Sequence, residues 1–260
     1  MKRVFIFHIA LLLAMGLYAY DFKYGDLYYN ITSDSTVEVT YEHYGSGYNY
    51  QGLSSISIPE TVANEGKTYR VTSIGYQAFM FCHDLTSVTI GNSVTSIGGS
   101  AFYGGYLTSS VTIPNSVTSI GYRAFDETPW YNNQPDGVVY IGKVLYKYKG
   151  TMPDNTSINI PDGIVSITAS AFKDCTGLIA VTIGDDVTTI GGGTGSSYYH
   201  GDGAFNHCTN LVSITIGKGV KNIGIQAFLG CDSLKSVYYR GTLTDWIDIN
   251  FDGYKDSYGR

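Results

Sequence analysis

The chain reads as a repeat solenoid, and three observations predict it. An Ala-Phe dipeptide returns six times, at Ala78-Phe79, Ala101-Phe102, Ala124-Phe125, Ala171-Phe172, Ala204-Phe205 and Ala227-Phe228. The alanines stand 23, 23, 47, 33 and 23 residues apart, so a period of 23 accounts for three gaps, while the others are two periods plus one residue and one period plus ten. The composition is rich in glycine (32) and tyrosine (24) and only 15% charged, as short strands and tight turns require and a helical enzyme does not. A fixed period in the twenties marks coils that pack mainly on their neighbours. The repeat therefore argues for one elongated domain in these 260 residues.

Residues 1–19 read as an export signal. Lys2 and Arg3 form a basic start, Val4 to Leu17 is mostly apolar, and Leu17-Tyr18-Ala19 offers a cleavage site before Tyr20. The apolar run is shorter than the roughly 20 residues that a membrane span needs, and His8 lies inside it. The expectation is an exported mature chain beginning near Tyr20, with no stable membrane span. No cysteine lies near the cleavage point to accept a lipid. Loss of Lys2 and Arg3 moves the net charge from -6 to -8. An acidic chain without a basic stripe is repelled by phosphate backbones, which excludes nucleic acid as a partner.

Each coil can be followed residue by residue. Leu85, Val88 and Ile90 follow a Leu-x-x-Val-x-Ile pattern whose apolar side chains point inward along a strand. Val94 and Ile97 give a second short extended piece, Gly98 turns the chain, and Ala101-Phe102 closes the coil. The order recurs from Leu107, Leu178 and Leu211. β-Branched residues at these places favour extended backbone. Glycine after the second strand suits a tight turn or a positive φ. Alanine fits a crowded inside corner, and phenylalanine can fill the space between stacked coils.

These residues resemble the BspA-like (bacterial surface protein A) type of leucine-rich repeat, over roughly residues 53 to 240. Ile58-Pro59, Ile113-Pro114 and Ile160-Pro161 supply its Ile-Pro step, and Cys82, Cys175, Cys208 and Cys231 its closing cysteine. The resemblance implies a right-handed solenoid, with a parallel sheet on one face and short helical turns on the opposite one. It also implies a secreted or cell-surface protein that binds other macromolecules, as adhesive relatives do.

The departures from the repeat set the boundaries. Residues 20–52 lack it and read as a β-hairpin N-terminal cap, with Leu27 to Ile31 and Val37 to Tyr41 as strands. The solenoid then runs over 53–240, with a detour at Asn64 to Tyr69. A coil at 126–150 is replaced by a hairpin whose strands, Val138 to Ile141 and Val144 to Tyr148, turn at Gly142-Lys143. A loop is inserted at 192–203, and residues 241–260 read as the C-terminal cap that an open terminal coil needs.

The insertion is the leading binding candidate. Its Tyr198, Tyr199, His200 and Asp202 lie among glycines and serines, a mixture of aromatic anchors and adaptable polar groups suited to recognition. The plain alternative is a tolerated loop, since added length costs little. The outward Ser/Thr positions of the strands form a second surface that names no ligand. Asp248, Asn250, Asp252 and Asp256 resemble the first part of a calcium loop, but Gly259 stands where a bidentate acid is required, and Asp and Asn beside Gly are ordinary turn formers. His83 and His207 adjoin repeat cysteines without zinc-ligand spacing. The four cysteines share one repeat position and read as buried fillers rather than a disulfide framework.

No metal or cofactor is expected. Asp185-Asp186 is the nearest carboxylate pair, but neighbours in an extended chain face opposite ways, and no Gly-x-Ser-x-Gly, His-Glu-x-x-His or phosphate loop occurs. The expected function is therefore non-catalytic: an adhesion-type interaction with an extracellular protein or a surface glycan. The alternatives are a secreted glycan-active hydrolase and a purely structural module of a surface assembly.

Overall fold

The computed structural model describes residues 20–42, 50–108, 110–191 and 202–251. The chain divides into two compact units, Met1–Pro114 with Ala124–Asn132, and Asn115–Arg123 with Asn133–Arg260.

The first unit begins with an antiparallel meander of β1 (Phe22–Tyr24), β2 (Leu27–Ile31) and β3 (Thr36–Thr40). Alternation along β3 buries Val37 and Val39 completely. Tyr50 ties this meander to the coils. Its hydroxyl donates to the Thr40 carbonyl and accepts from the Tyr28 N–H, and its ring lies 4.8 Å from that of Phe79. The unit continues with β4 (Ser55–Ile58), β5 (Thr61–Asn64), β6 (Lys67–Ile74), β7 (Ser87–Ile90), β8 (Ser96–Ile97) and β9 (Ser110–Thr112). Strand β6 pairs in parallel with β3 on one side and β8 on the other, while β4, β7 and β9 form a second parallel ladder. The detour after Ile58-Pro59 is a hairpin, β5 against β6, whose Glu65-Gly66 turn is left-handed at both residues (φ 50° and 78°). A single helical turn, α1 (Pro129–Asn132), follows Phe125.

The second unit contains β10 (Ser119–Ile120), β11 (Gly137–Ile141), β12 (Val144–Lys149), β13 (Thr156–Ile160), β14 (Ser166–Ile167), β15 (Leu178–Ile183), β16 (Thr189–Ile190), β17 (Ser213–Ile216), β18 (Asn222–Ile223), β19 (Ser236–Tyr239), α2 (Leu243–Ile247) and β20 (Asn250–Phe251). Strands β11 and β12 form an antiparallel hairpin around Gly142-Lys143. From β12 a parallel ladder runs through β14, β16 and β18 to β20, and β13, β15, β17 and β19 form a second. Each coil thus contributes one strand to each of two ladders. The inward Leu, Val and Ile residues, such as Leu178, Val181, Ile183, Val187 and Ile190, are buried together.

The third side of each coil is the Ala-Phe corner. Backbone bonds link it to the next coil, from Phe79 N–H to the Ala101 carbonyl (2.7 Å), Phe172 to Ala204 (2.7 Å) and Phe205 to Ala227 (2.8 Å). The alanines sit in the crowded corner, and the rings stack in a column. Phe79, Phe102 and Phe125 are 5.1 and 5.2 Å apart, as Phe172, Phe205 and Phe228 are at 5.2 and 5.3 Å, with nearly parallel planes.

Two expectations change here. In the described coils the corner is a run of turns rather than a short helical turn. It holds left-handed residues, one before the alanine (Gln77, Ser100, Arg123, Ser170 and Gln226, φ 54–60°) in each coil but that of Ala204, where Gly203 is not left-handed, and one before the cysteine position (as at Phe81, Asp174 and His207, φ 56–59°). The glycine after the second strand is not needed for a positive φ. At Gly98 a Cβ would meet Tyr76 N at 2.6 Å and Gly75 C at 2.7 Å, so glycine is required by the close approach of the preceding coil.

Candidate functional site

The insertion leaves the coil at Gly191 and returns at Asp202; its Tyr198, Tyr199 and His200 lie outside the described residues. The attachment points are well defined. In a regular coil the Ala101 N–H donates to the Gly98 carbonyl three residues earlier, and Ala227 does the same to Gly224. In the inserted coil the Ala204 N–H makes the same bond to Gly191, at 2.9 Å across thirteen residues. The corner is therefore intact beneath the insertion.

Asp202 belongs to that corner. Its carbonyl accepts from the Ser170 N–H (2.8 Å), its own N–H donates to Ser170 Oγ (2.8 Å), and its carboxylate pairs with Lys173 Nζ at 2.6 Å. This hydrogen-bonded pairing with Asp202 raises the Lys173 pKa, against the opposing effect of partial burial. Asp202 pins the base of the insertion, a role its place in the Tyr-rich run did not suggest.

Of the calcium-like residues, Asp248 and Asn250 are described, and they fall in different elements. Asp248 is the C-cap of α2, its N–H donating to the Thr244 carbonyl. Asn250 lies in β20, paired with Asn222 of β18, and its Nδ2 donates to Asn222 Oδ1 at 3.3 Å. It occupies a strand ladder rather than the turn of a cation loop. Asp252 and Asp256 fall outside the described residues. Among the described residues no group of three or more His, Cys, Asp or Glu is placed to hold a metal ion.

The other candidates have structural partners. Asp186 Oδ2 accepts from the Gly163 N–H (2.8 Å), and Asp162 Oδ1 from the Asp185 N–H (2.9 Å). Asp185 also lies 3.6 Å from Arg240 and 3.9 Å from Lys218. These carboxylates tie successive coils together. A shallow groove of about 430 Å³ crosses the starts of β13, β15, β17 and β19, with Asp154 as its one carboxyl beside Asn155, Asn210 and Ser233. Two opposed acids, which glycoside hydrolysis needs, do not meet there.

No disulfide joins the four cysteines. Cys208 Sγ donates to the Phe172 carbonyl (3.0 Å) and Cys231 Sγ to the Phe205 carbonyl (3.1 Å), so these thiols also satisfy corner carbonyls of the preceding coil. Burial pushes the Cys82 and Cys175 thiols up to about 12. Contact with Cys231, together with burial, raises Cys208, and the same contact lowers Cys231. The buried thiols of Cys82, Cys175 and Cys208 are packing groups, and half-buried Cys231 is the most reactive of the four.

A feature missed in the sequence lies in the first unit. Tyr106 and His83 occupy the same repeat position, five residues after the alanine in consecutive coils, and their rings are 5.1 Å apart. His83 lies 6.2 Å from Phe81, and Phe81 5.5 Å from Tyr103 in an edge-on arrangement. The Tyr103 hydroxyl donates to Glu127 Oε1 at 2.5 Å. Aromatics recurring at one outward position in adjacent coils are the signal that could have revealed the cluster.

The described residues contain no helix long and apolar enough to cross a membrane. A model of the BspA type leucine-rich repeat region (six copies) matches residues 48–149, 72–196 and 140–244. No curated protein sequence matches the chain. Among solved structures, a leucine-rich repeat protein from Bacteroides ovatus is 29% identical over 84% of this chain and 53% of its own (TM-score 0.44). The chain thus spans about half the length of that protein. The T. pallidum leucine-rich repeat protein is 23% identical over 85% and 83% of the two chains (TM-score 0.40). The pneumococcal vaccine antigen PcpA is 15% identical over 84% and 69% (TM-score 0.37). With the repeat-family match extending from residue 48 to 244, the chain belongs to the BspA type leucine-rich repeat family.

Proposed function

We propose that the chain is a non-catalytic recognition scaffold, exported through residues 1–19 and acting at or beyond the cell surface by binding an extracellular protein or a surface glycan. Its family is typically surface-exposed or secreted and generally non-catalytic. The observation that carries the reading is the Ala204-to-Gly191 bond, which closes the corner as in a regular coil. The ten residues 192–201 are thus surplus to the fold, and surplus loops on a rigid scaffold are where recognition concentrates. Asp202, held by Ser170 and Lys173, anchors the C-terminal end of the insertion whose sequence carries Tyr198, Tyr199 and His200.

The test is a pull-down with residues 20–260 against extracellular matrix proteins and bacterial surface extracts, beside a variant lacking 192–201. That deletion restores the Gly-x-x-Ala spacing of Gly98 to Ala101 and leaves the closing bond in place. Capture by the intact chain and its loss in the variant is expected. Equal capture by both moves recognition to another surface, and no capture by either supports a structural module instead.

A further inference from the structure

The aromatic cluster of the first unit is not required by the repeat. The position shared by His83 and Tyr106 holds Pro129, Thr176, Thr209 and Asp232 in the other coils, and none of these needs a ring. Both side chains are exposed, Tyr106 to 53%. Phe81 is half-buried and left-handed (φ 57°), a conformation that bulky residues rarely adopt. One face of its ring lies on Gly104, where a Cβ would come within 2.6 Å of two ring carbons. That packing fixes the ring's orientation. The result is a contiguous surface of four rings drawn from two coils.

The electrostatic surroundings narrow the ligand. Between Arg70 and Arg123 the chain has no lysine or arginine and one acid, Asp84. Asp84 Oδ2 already accepts from the Gly52 N–H at 2.8 Å. A stretch with no cation offers nothing to hold a sulfated or uronic polymer, and its acids are few: Asp84, and the exposed Glu127 at its edge, which already accepts from the Tyr103 hydroxyl. It presents apolar ring surface with hydrogen-bonding groups at the margin, the Tyr103 hydroxyl with Glu127, the Tyr106 hydroxyl and the His83 imidazole. A pyranose has the complementary form, with an apolar C–H face and a rim of hydroxyls.

We propose that Tyr106, His83, Phe81 and Tyr103, with Glu127 at their edge, form a binding platform for a neutral glycan chain. This rests on the non-catalytic recognition reading and gives it a ligand class and a site separate from the insertion. The sugar stacks on the exposed rings of His83 and Tyr106, and Glu127 accepts from its hydroxyls.

The test is affinity electrophoresis of the full chain through gels containing mixed-linkage β-glucan, mannan, xylan or galactan, with hyaluronan and poly-lysine as charged comparators. Retardation by at least one neutral polysaccharide is expected. Tyr106→Ala and His83→Ala should each weaken it about three- to ten-fold. Tyr140→Ala, which removes an exposed ring elsewhere (39%), should leave it unchanged. Circular dichroism verifies that each variant is folded. No retardation by any neutral polymer, retardation by a charged comparator alone, or undiminished binding by Tyr106→Ala overturns the proposal. Capture of a protein in the pull-down with no retardation in these gels sinks the glycan platform alone; failure of both removes the recognition reading as well.

Discussion

The last two coils of the second unit share a pattern and differ in burial. In one, Leu211, Ile214 and Ile216 are at most 1% exposed, and Phe205 and Cys208 are fully buried. In the next, Leu234 and Tyr239 occupy the corresponding places but are half-buried, as are Phe228 and Cys231, and Val237 is 51% exposed. Strand register leaves no doubt about equivalence, since Ile214 pairs with Val237 and Ile216 with Tyr239. The repeat encodes which way a side chain points. Burial comes from the coils on either side, so the same residue type contributes far less on β19, at the edge of its ladder, than on β17 inside it.

The largest expected effect of a single substitution is on the phenylalanine column. Phe205 lies between Phe172 and Phe228, and replacement by alanine should cost about 3–5 kcal/mol. Phe228, half-buried and stacked on Phe205, should lose about half as much on the same replacement. Urea unfolding of the two variants checks this, and equal losses would break the comparison.

Alkaline pH should come next. Cys82 and Cys175 have folded pKa values near 12 against an ordinary value of 9, so the folded state favours the neutral thiol. Between these values the unfolded chain binds fewer protons than the folded one, and stability falls as pH rises. The stabilisation is fully present below pH 9 and is lost on the way to pH 12, at up to about 1.4 kcal/mol per pH unit for each thiol. Thermal unfolding across this window should show a steep decline, reduced in Cys82→Ala.

The smallest effect is kinetic. Cys231, half-buried and with its pKa lowered by Cys208, should react first with iodoacetamide at pH 8, while buried Cys208 reacts last. Mass spectrometry of time points gives the order. Reaction of Cys208 ahead of Cys231 would show that the last coil protects better than its exposure implies.

Much of the framework was legible because side-chain chemistry carries it. The inward Leu-x-x-Val-x-Ile residues, the Ala-Phe corner and the shared cysteine position are chosen by the space they fill. The Gly142-Lys143 turn between β11 and β12 was readable for the same reason. The left-handed corner residues were not. Gln77, Ser100, Arg123, Ser170 and Gln226 have no property in common that announces a positive φ. The corner adopts that conformation because bonds such as Gln77 N–H to the Gly99 carbonyl and Phe79 N–H to the Ala101 carbonyl require it. At the candidate insertion, composition marked the aromatic residues, but the structural part played by Asp202 needed the position of Lys173 one coil away.

The sequence by itself determined the periodicity, the inward faces of the strands, the acidic and weakly charged surface, and the membership of a repeat family. Local patterns determine these because each depends on residue type and spacing along one coil. Tertiary structure alone decided three things: that Gly98 is needed for close approach, that Val237 is exposed while Ile214 is buried, and that Phe81, His83, Tyr103 and Tyr106 form one surface. All three depend on what the neighbouring coil places alongside, and stacking brings together residues about a full repeat apart in the chain.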